Sequence, residues 1–514
     1  MTKQKSQFLF QQTWILSASS LITKVLSAFY RVPLQNLVGN RGFFVYQQVY
    51  PLYGLCTAVA LTGLPMFVSQ IIAENKKHPF ISQRLLVRAA FLLGVVGALL
   101  LGVNATQLAI LMGDRRLAPL ILVLAGFYLL APIEAVYRGI YQGHLQMLPT
   151  AISQVMEQII RVGIIITAAI VWRADYYKMG TWAHAGATIA AVMAIIILLS
   201  FHLPPADNFP VTIDTWYQLG RRFLTDGLLL SLFGALLVLL QTIDSFTMVQ
   251  LLIHYHWPHP QILKGIYDRA QPLAQLGIVI AVAFATSILP QLVDKKPSQQ
   301  WPLISQILHV ALALAACCAV GMATLMPQIN TFLFKDAQLS GTLSIYVLAV
   351  IFIAYAVITN TIMQAQHQQK LNFSILVFAL IVKGVGNCWL IETYGTLGAS
   401  LSTLIASIVL AVGIHYNSPP LLRECLFANH FLLKLSKLLV ALAVLVWGMN
   451  YCWRLIEPLQ RLTSIWEVLI SIALAVGFVV ILSYRWQLFT LQEWRLIPGG
   501  NWILNKLGEH NAFR

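Results

Sequence analysis

The chain has 514 residues, 58% of them hydrophobic and 10% charged, with 33 Lys and Arg against 18 Asp and Glu and a formal net charge of +15. Soluble domains carry roughly 45–50% apolar and about 25% charged residues, so this composition, with its mean hydropathy of +0.75, excludes a water-soluble globular protein and points to an all-α, polytopic membrane protein. A basic excess can serve nucleic acid, an anionic membrane surface or an anionic substrate, and the positions of the charges decide among these.

The N-terminus is basic and then apolar through Val38 with no small-residue cleavage site, which reads as a first transmembrane helix and not a signal peptide. A bilayer core about 30 Å thick needs roughly 20 apolar residues per helix. Fourteen segments qualify: Phe8–Val38, Phe43–Ala73, Leu85–Gly113, Leu117–Tyr141, Leu148–Trp172, Trp182–Leu203, Phe223–Trp257, Ile266–Val293, Trp301–Phe334, Leu343–Gln364, Leu371–Ile391, Leu397–Tyr416, Phe431–Trp453 and Leu462–Trp486. An even count puts both termini on one side. Eighteen of the 33 basic residues, among them Lys76, Lys77, Arg221, Arg222, Lys295 and Lys296, fall on that side and nine on the other, so the positive-inside rule makes both termini cytoplasmic.

The halves resemble each other. YQQVYPL from Tyr46 matches YDRAQPL from Tyr267, YQGHLQ from Tyr141 matches MQAQHQ from Met363, and GATIA from Gly186 matches GASLS from Gly398. Spans 1–6 thus repeat as spans 7–12 in the same orientation, a transporter plan with the substrate between lobes. The expected organisation is an N-lobe at 1–203, an inter-lobe cytoplasmic linker at 204–220 with Pro204, Pro205 and Pro210, a C-lobe at 221–420, and spans 13 and 14 with a tail at 421–514.

Ionisable groups at bilayer depth cost roughly 2.5–3.5 kcal/mol each on insertion scales and are expected to face a cavity or a partner. Lys24 and Arg31 stand seven residues apart in span 1, on one face and ~10 Å apart along the axis. Two cations on one stripe suit an anion. Span 8 adds Arg269 beside Asp268, span 7 carries Asp244 and span 11 Lys383, which together make a basic cavity for a phosphate-bearing substrate, against the alternative of snorkelling or purely structural pairs. Glu134 and Arg138 in span 4, like Glu157 and Arg161 in span 5, are four apart, so each acid can pair with the base on its own helix face as a packing or gating contact. His254, His256 and His259 are interrupted by Pro258 and read as an interfacial loop, not as zinc ligands. The six cysteines have no paired spacing and read as buried small hydrophobes. No residue pattern calls for a cofactor or metal.

From Arg138 to Val162 the string RGIYQGHLQMLPTAISQVMEQIIRV resembles the polysaccharide transporter branch of the MOP superfamily, the stage V sporulation protein B, YtgP-like and MurJ-like proteins. ITKVLSAFYRVPL from Ile22, GLPMFVSQIIAE from Gly63, YDRAQPLAQLG from Tyr267 and TLGASLSTLIAS from Thr396 support it along the chain. The resemblance implies two six-helix lobes around a V-shaped cavity, with spans 13 and 14 grooved for a lipid tail. It implies a flippase of the bacterial cytoplasmic membrane that carries an undecaprenyl-diphosphate-linked glycan, lipid II first, to the outer leaflet by alternating access, with membrane lipid and cell-wall synthesis proteins as partners. By the same resemblance Lys24 and Arg269 line the cavity and Arg31 lies near a second span 1 arginine. Two departures stand out. Arg41 in NRGFF replaces an acid of Gram-negative relatives, and lysine at position 24 offers a point charge in place of an arginine fork. Relatives hold sodium between an acid of span 7 and polar groups of spans 11 and 12; here Lys383 stands in that region, where its ammonium could take the cation's place beside Asp244. A flippase for another lipid-linked glycan, such as a teichoic acid or capsule unit, and a drug exporter are alternatives. A membrane glycosyltransferase would be expected to show clustered outer carboxylates, and Asp114, Asp175, Asp336, Glu392 and Glu457 are widely spaced.

Overall fold

A computed structural model of the chain describes residues 3–75, 82–202, 213–223, 232–288, 297–365, 371–456, 458–497 and 499–507, and among them there is no β-strand. The expected linker prolines Pro204, Pro205 and Pro210 and the tail after Leu507 lie outside the described residues. The helices gather into two compact units, Met1–Asp268 and Arg269–Arg514.

The first unit begins with α1 (Lys3–Phe29) and α2 (Arg31–Cys56), continues through a π-helical stretch, Thr57–Gly63, and ends this run with α3 (Leu64–Asn75). The stretch Ala18–Glu74 is 57 residues long, ~86 Å of helix against a core of about 30 Å. It makes two crossings because Gly39 (φ 68, ψ −176) breaks it in a conformation only glycine tolerates. Then come α4 (Gln83–Val103), capped by Ser82, α5 (Ala105–Leu111), α6 (Ala118–Gly143), α7 (Met147–Val171), α8 (Tyr176–Ser200), capped by Asp175, and the amphipathic α9 (Ile213–Arg222). α6 is the hub, packing on α3, α4 and α8, while α7 packs on α1 and α8. Small residues allow this: a Cβ on Gly139 would sit 2.6 Å from Val68, and one on Gly94 2.4 Å from the Leu129 carbonyl. α10 (Leu236–His254) and α11 (Pro260–Tyr267) lie on α2, which is why the unit extends to Asp268.

The second unit holds α12 (Ala270–Ile288), α13 (Pro297–Thr324), α14 (Met326–Phe334), α15 (Ser340–Ala365), α16 (Asn372–Tyr394), α17 (Thr396–Asn417), α18 (Pro420–Phe427), α19 (Phe431–Ile456), α20 (Arg461–Arg485), α21 (Leu491–Leu496) and α22 (Gly500–Leu507). α13, α15 and α17 form its core with α16 outside, and α19 and α20 pack on α13 and α14. Twelve helical stretches among the described residues are long and apolar enough to cross a membrane. With the first counted as two crossings, fourteen is still not reached: the expected eighth span corresponds to α12, which is not among the twelve, and residues 289–296 lie outside the described set.

Candidate functional site

In the first unit Tyr46, Tyr50 and Tyr53 of α2 recur at helical spacing and present one aromatic face. With Tyr30 they receive two buried guanidiniums: Arg31 lies 4.3 Å from the Tyr50 ring, and Arg161 of α7 lies 4.7 Å from Tyr53 and 5.3 Å from Tyr30. The Tyr30 and Tyr46 hydroxyls share a 2.7 Å hydrogen bond, and Tyr46 stacks on His184 at 4.8 Å. Desolvated cation–π contacts are worth about 2 kcal/mol each, which holds two cations where no water reaches them.

Arg138 forms an ion pair with Glu134 at 2.5 Å and donates to Glu157 at 2.9 Å and to Ser153 at 3.0 Å. The α6–α7 hairpin therefore gives Glu157 to Arg138, and the expected pairing of Glu157 with Arg161 does not form. Arg161 donates instead to Gln158 at 2.9 Å. Lys264, expected on an outer loop, is buried and paired with Asp268, and Tyr267 donates to Asp244 at 2.7 Å. Asp268 lies within electrostatic reach of Lys264, Asp244 and Arg31. Apart from Asp114, which pairs with the exposed Arg116, the buried charges among the described residues of this unit are Arg31, Arg138, Arg161 and Lys264 against Glu134, Glu157, Asp244 and Asp268. Four of each sign balance.

Lys24 stands apart. It is exposed on α1, and among the described residues it has neither a hydrogen-bond nor an ion-pair partner. It lies ~22 Å of helix from the Gly39 break, inside the thickness of the hydrocarbon core.

Arg269 of the second unit is fully buried and engaged. Its fork meets Asp336 at 2.8 Å through both nitrogens and Asn330 at 2.9 Å, with the Phe334 ring 5.1 Å from its carbon. Asp336 lies on the short turn between α14 and α15, flanked by the left-handed Lys335 (φ 73) and Leu339 (φ 54). Desolvation pushes its carboxyl up, but the Arg269 hydrogen bonds and charge outweigh that and leave it below the ordinary value. The charge read from sequence as a cavity cation is thus neutralised by an acid 67 residues downstream.

Lys383 of α16 is also buried, its ammonium held by four neutral oxygens: Asn387 Oδ1 at 3.0 Å, the Ala399 carbonyl at 2.9 Å, Ser402 Oγ at 3.0 Å and Thr403 Oγ1 at 2.8 Å. Glycine makes this cage possible, since a Cβ on Gly398 would lie 2.0 Å from the Leu390 carbonyl and one on Gly386 2.9 Å from Ser402. Asp244 and Lys383 each have partners within their own units.

Among the described residues no three His, Cys, Asp or Glu gather as a metal set, and the six cysteines are free. Sequence reasoning missed the tyrosine face, Lys264 and Asp336. The four-residue spacing of Lys264 and Asp268 was a visible signal for one of them.

The family model described as "Polysaccharide biosynthesis protein" matches residues 9–296. The uncharacterized membrane protein YabM of Bacillus subtilis is 30% identical over 97% of this chain and 96% of its own length. The lipid II flippase MurJ of the same organism is 24% identical over 96% of the chain and 98% of its length. A solved structure of lipid II flippase MurJ in an inward closed conformation superposes with a TM-score of 0.69 at 14% identity, covering 91% of this chain and 98% of that one, a likeness of fold.

Proposed function

Because the chain belongs to the polysaccharide biosynthesis protein family, we propose that it is a flippase that moves a lipid-linked, diphosphate-bearing glycan, lipid II first, from the inner to the outer leaflet of the bacterial cytoplasmic membrane. In this reading it is a transporter and not an enzyme, works without a cofactor, has both termini in the cytoplasm, and uses 1–203 and 221–420 as the lobes of an alternating-access pair. Lys24 carries the reading. An ammonium at bilayer depth with no protein partner is costly against hydrocarbon, and an anionic headgroup in a wet cavity removes that cost. The buried cations of the first unit are matched in number by buried acids, Arg269 is paired with Asp336 and Lys383 is held in its oxygen cage, so Lys24 is the residue we assign to the diphosphate, with Arg31 among its tyrosines and Arg269 beside its acid shaping the cavity wall. The similarity to MurJ in both sequence and fold supports lipid II as the first cargo to test.

The deciding experiment depletes the native lipid II flippase in a host that expresses this chain, then follows growth and outer-leaflet lipid II. Survival with restored outer-leaflet lipid II is the expected result. Lysis, together with transport of a teichoic acid or capsule precursor in proteoliposomes, would assign a different lipid-linked glycan, and transport of neither would overturn the flippase reading.

A further inference from the structure

α19 begins and α20 ends at one end of the second unit, where the loop 487–490 and α21 fold back on the start of α13. They enclose a cavity of about 680 Å³. Its walls carry donors: the amides of Gln306, Asn429, Gln487 and Gln492, the exposed His430 and the half-buried Lys434. The Lys434 ammonium gives one of its three N–H groups to the Gln487 carbonyl at 2.9 Å. Glu493, the carboxylate among the described residues that line the cavity, is bonded on one oxygen by His309 at 2.7 Å and on the other by the Thr490 N–H at 2.7 Å. Among the described residues no acid forms an ion pair with the lysine. Asn429 (φ 52), His430 (φ 57) and Gln487 (φ 49) are non-glycine residues in the left-handed region, a strain that proteins retain mainly at functional sites. Leu433 and Trp486, the chain neighbours of the lining residues Lys434 and Gln487, are 55% and 37% exposed and carry apolar surface on from the cavity to two membrane spans.

From this arrangement we propose that the cavity binds the phosphate headgroup of an acidic phospholipid, with the acyl chains running along α19 and α20. A cation without a countering acid selects a negative phosphate. The amides serve the glycerol and phosphate oxygens, and the tryptophan marks the headgroup level of the bilayer. A soluble phosphate would use the same donors but would leave the exposed rim uncovered. Arg423, Lys437, Arg485 and Arg495, near the same helix ends, add attraction for an anionic leaflet. This site belongs to the second unit and Lys24 to the first, and its test is independent of which glycan is moved.

The test uses the full-length protein in detergent, with phosphatidylglycerol, phosphatidylcholine and glycerol 3-phosphate as probes, read by native mass spectrometry and by thermal unfolding. Phosphatidylglycerol is expected to stay bound and to raise the unfolding temperature, whereas the other two do neither. Lys434→Gln should weaken phosphatidylglycerol binding about tenfold. Gln492→Glu, which puts a carboxylate at the rim and keeps the acceptor for Gln306, should do the same and decides the matter alone if loss of the Lys434–Gln487 contact unfolds the first variant. Equal binding of glycerol 3-phosphate would overturn the lipid assignment. Wild-type retention of phosphatidylglycerol by the folded variants would overturn the site.

Discussion

Replacing Asp336 by alanine should destabilise the second unit more than replacing Arg269 by methionine, although the two side chains share one contact. The asymmetry comes from burial: the Arg269 side chain is 0% exposed and that of Asp336 32%. Losing Asp336 strands a guanidinium away from water, whereas losing Arg269 leaves a carboxylate that water already reaches. Breaking a buried ion pair by removing one partner costs about 3–5 kcal/mol. The partial exposure of Asp336 and the surviving Asn330 bond bring the expected loss to about 2–3 kcal/mol for Asp336→Ala. Arg269→Met keeps an apolar stem beside Phe334 and should cost about 1 kcal/mol. The assay is thermal unfolding in detergent, followed by a thiol-reactive dye at Cys317, which is partly buried in the same unit, in a background where the other five cysteines are replaced by serine. The double variant completes a cycle whose coupling term should fall at about 1–3 kcal/mol. Equal losses, or a larger loss for Arg269→Met, would refute the argument that Asp336 clamps a buried charge and would return Arg269 to the role of a cavity cation.

Lys24→Ala should abolish flipping with expression and fold intact, because a charge-assisted contact to diphosphate is worth about 1.5–3 kcal/mol, and Lys24→Arg should retain activity; wild-type transport by the alanine variant sinks the anionic-cargo model. Since the Lys383 ammonium fills its oxygen cage, exchanging sodium for potassium at constant membrane potential in proteoliposomes should leave the flipping rate unchanged, and a large loss would mean that sodium is required. Gly39→Ala forces a side chain into a left-handed backbone at the first turn and should cost about 1–3 kcal/mol, so an unchanged unfolding midpoint would be the contrary result. Asp336 has a carboxyl held below its ordinary value, so its contribution is fully present above the unfolded value of about 3.9 and is lost as the pH falls through the lower folded value. Wild-type unfolding temperature should therefore drop more steeply below about pH 4 than that of Asp336→Asn, and parallel curves would count against the pair.

Much of the fold was legible because hydrocarbon imposes length and hydropathy on each crossing, and the positions of charge within the spans stood out for the same reason. Partners were harder. The four-residue rule sees a single helix, so it matched Glu157 to Arg161, while the α6–α7 hairpin brought a competing Arg138 from the neighbouring helix. Arg269 finds its acid on a turn that no periodicity links to it. Lys383 was visible as a charge in span 11, but its cage depends on the close crossing of α16 and α17, which Gly386 and Gly398 permit. The tyrosines of α2 carry a helical spacing, but the face they make was missed because aromatic residues at that spacing look the same whether they line a core or receive a cation.

The π-helical stretch Thr57–Gly63 gives the second crossing two angular settings on one axis. Each hydrogen bond there spans five residues instead of four, so the stretch absorbs an extra residue, and everything beyond it is rotated by roughly 100° from where a continuous α-helix would put it. Tyr46, Tyr50 and Tyr53 can therefore face Arg31 and Arg161 while Val68 and Ile72, farther along the same rod, seat against Gly139 and Gly143. Deleting a single residue between Thr57 and Gly63 would straighten the helix locally and turn one of these faces away from its partners, so the length of this short segment is constrained even though most of its side chains are small.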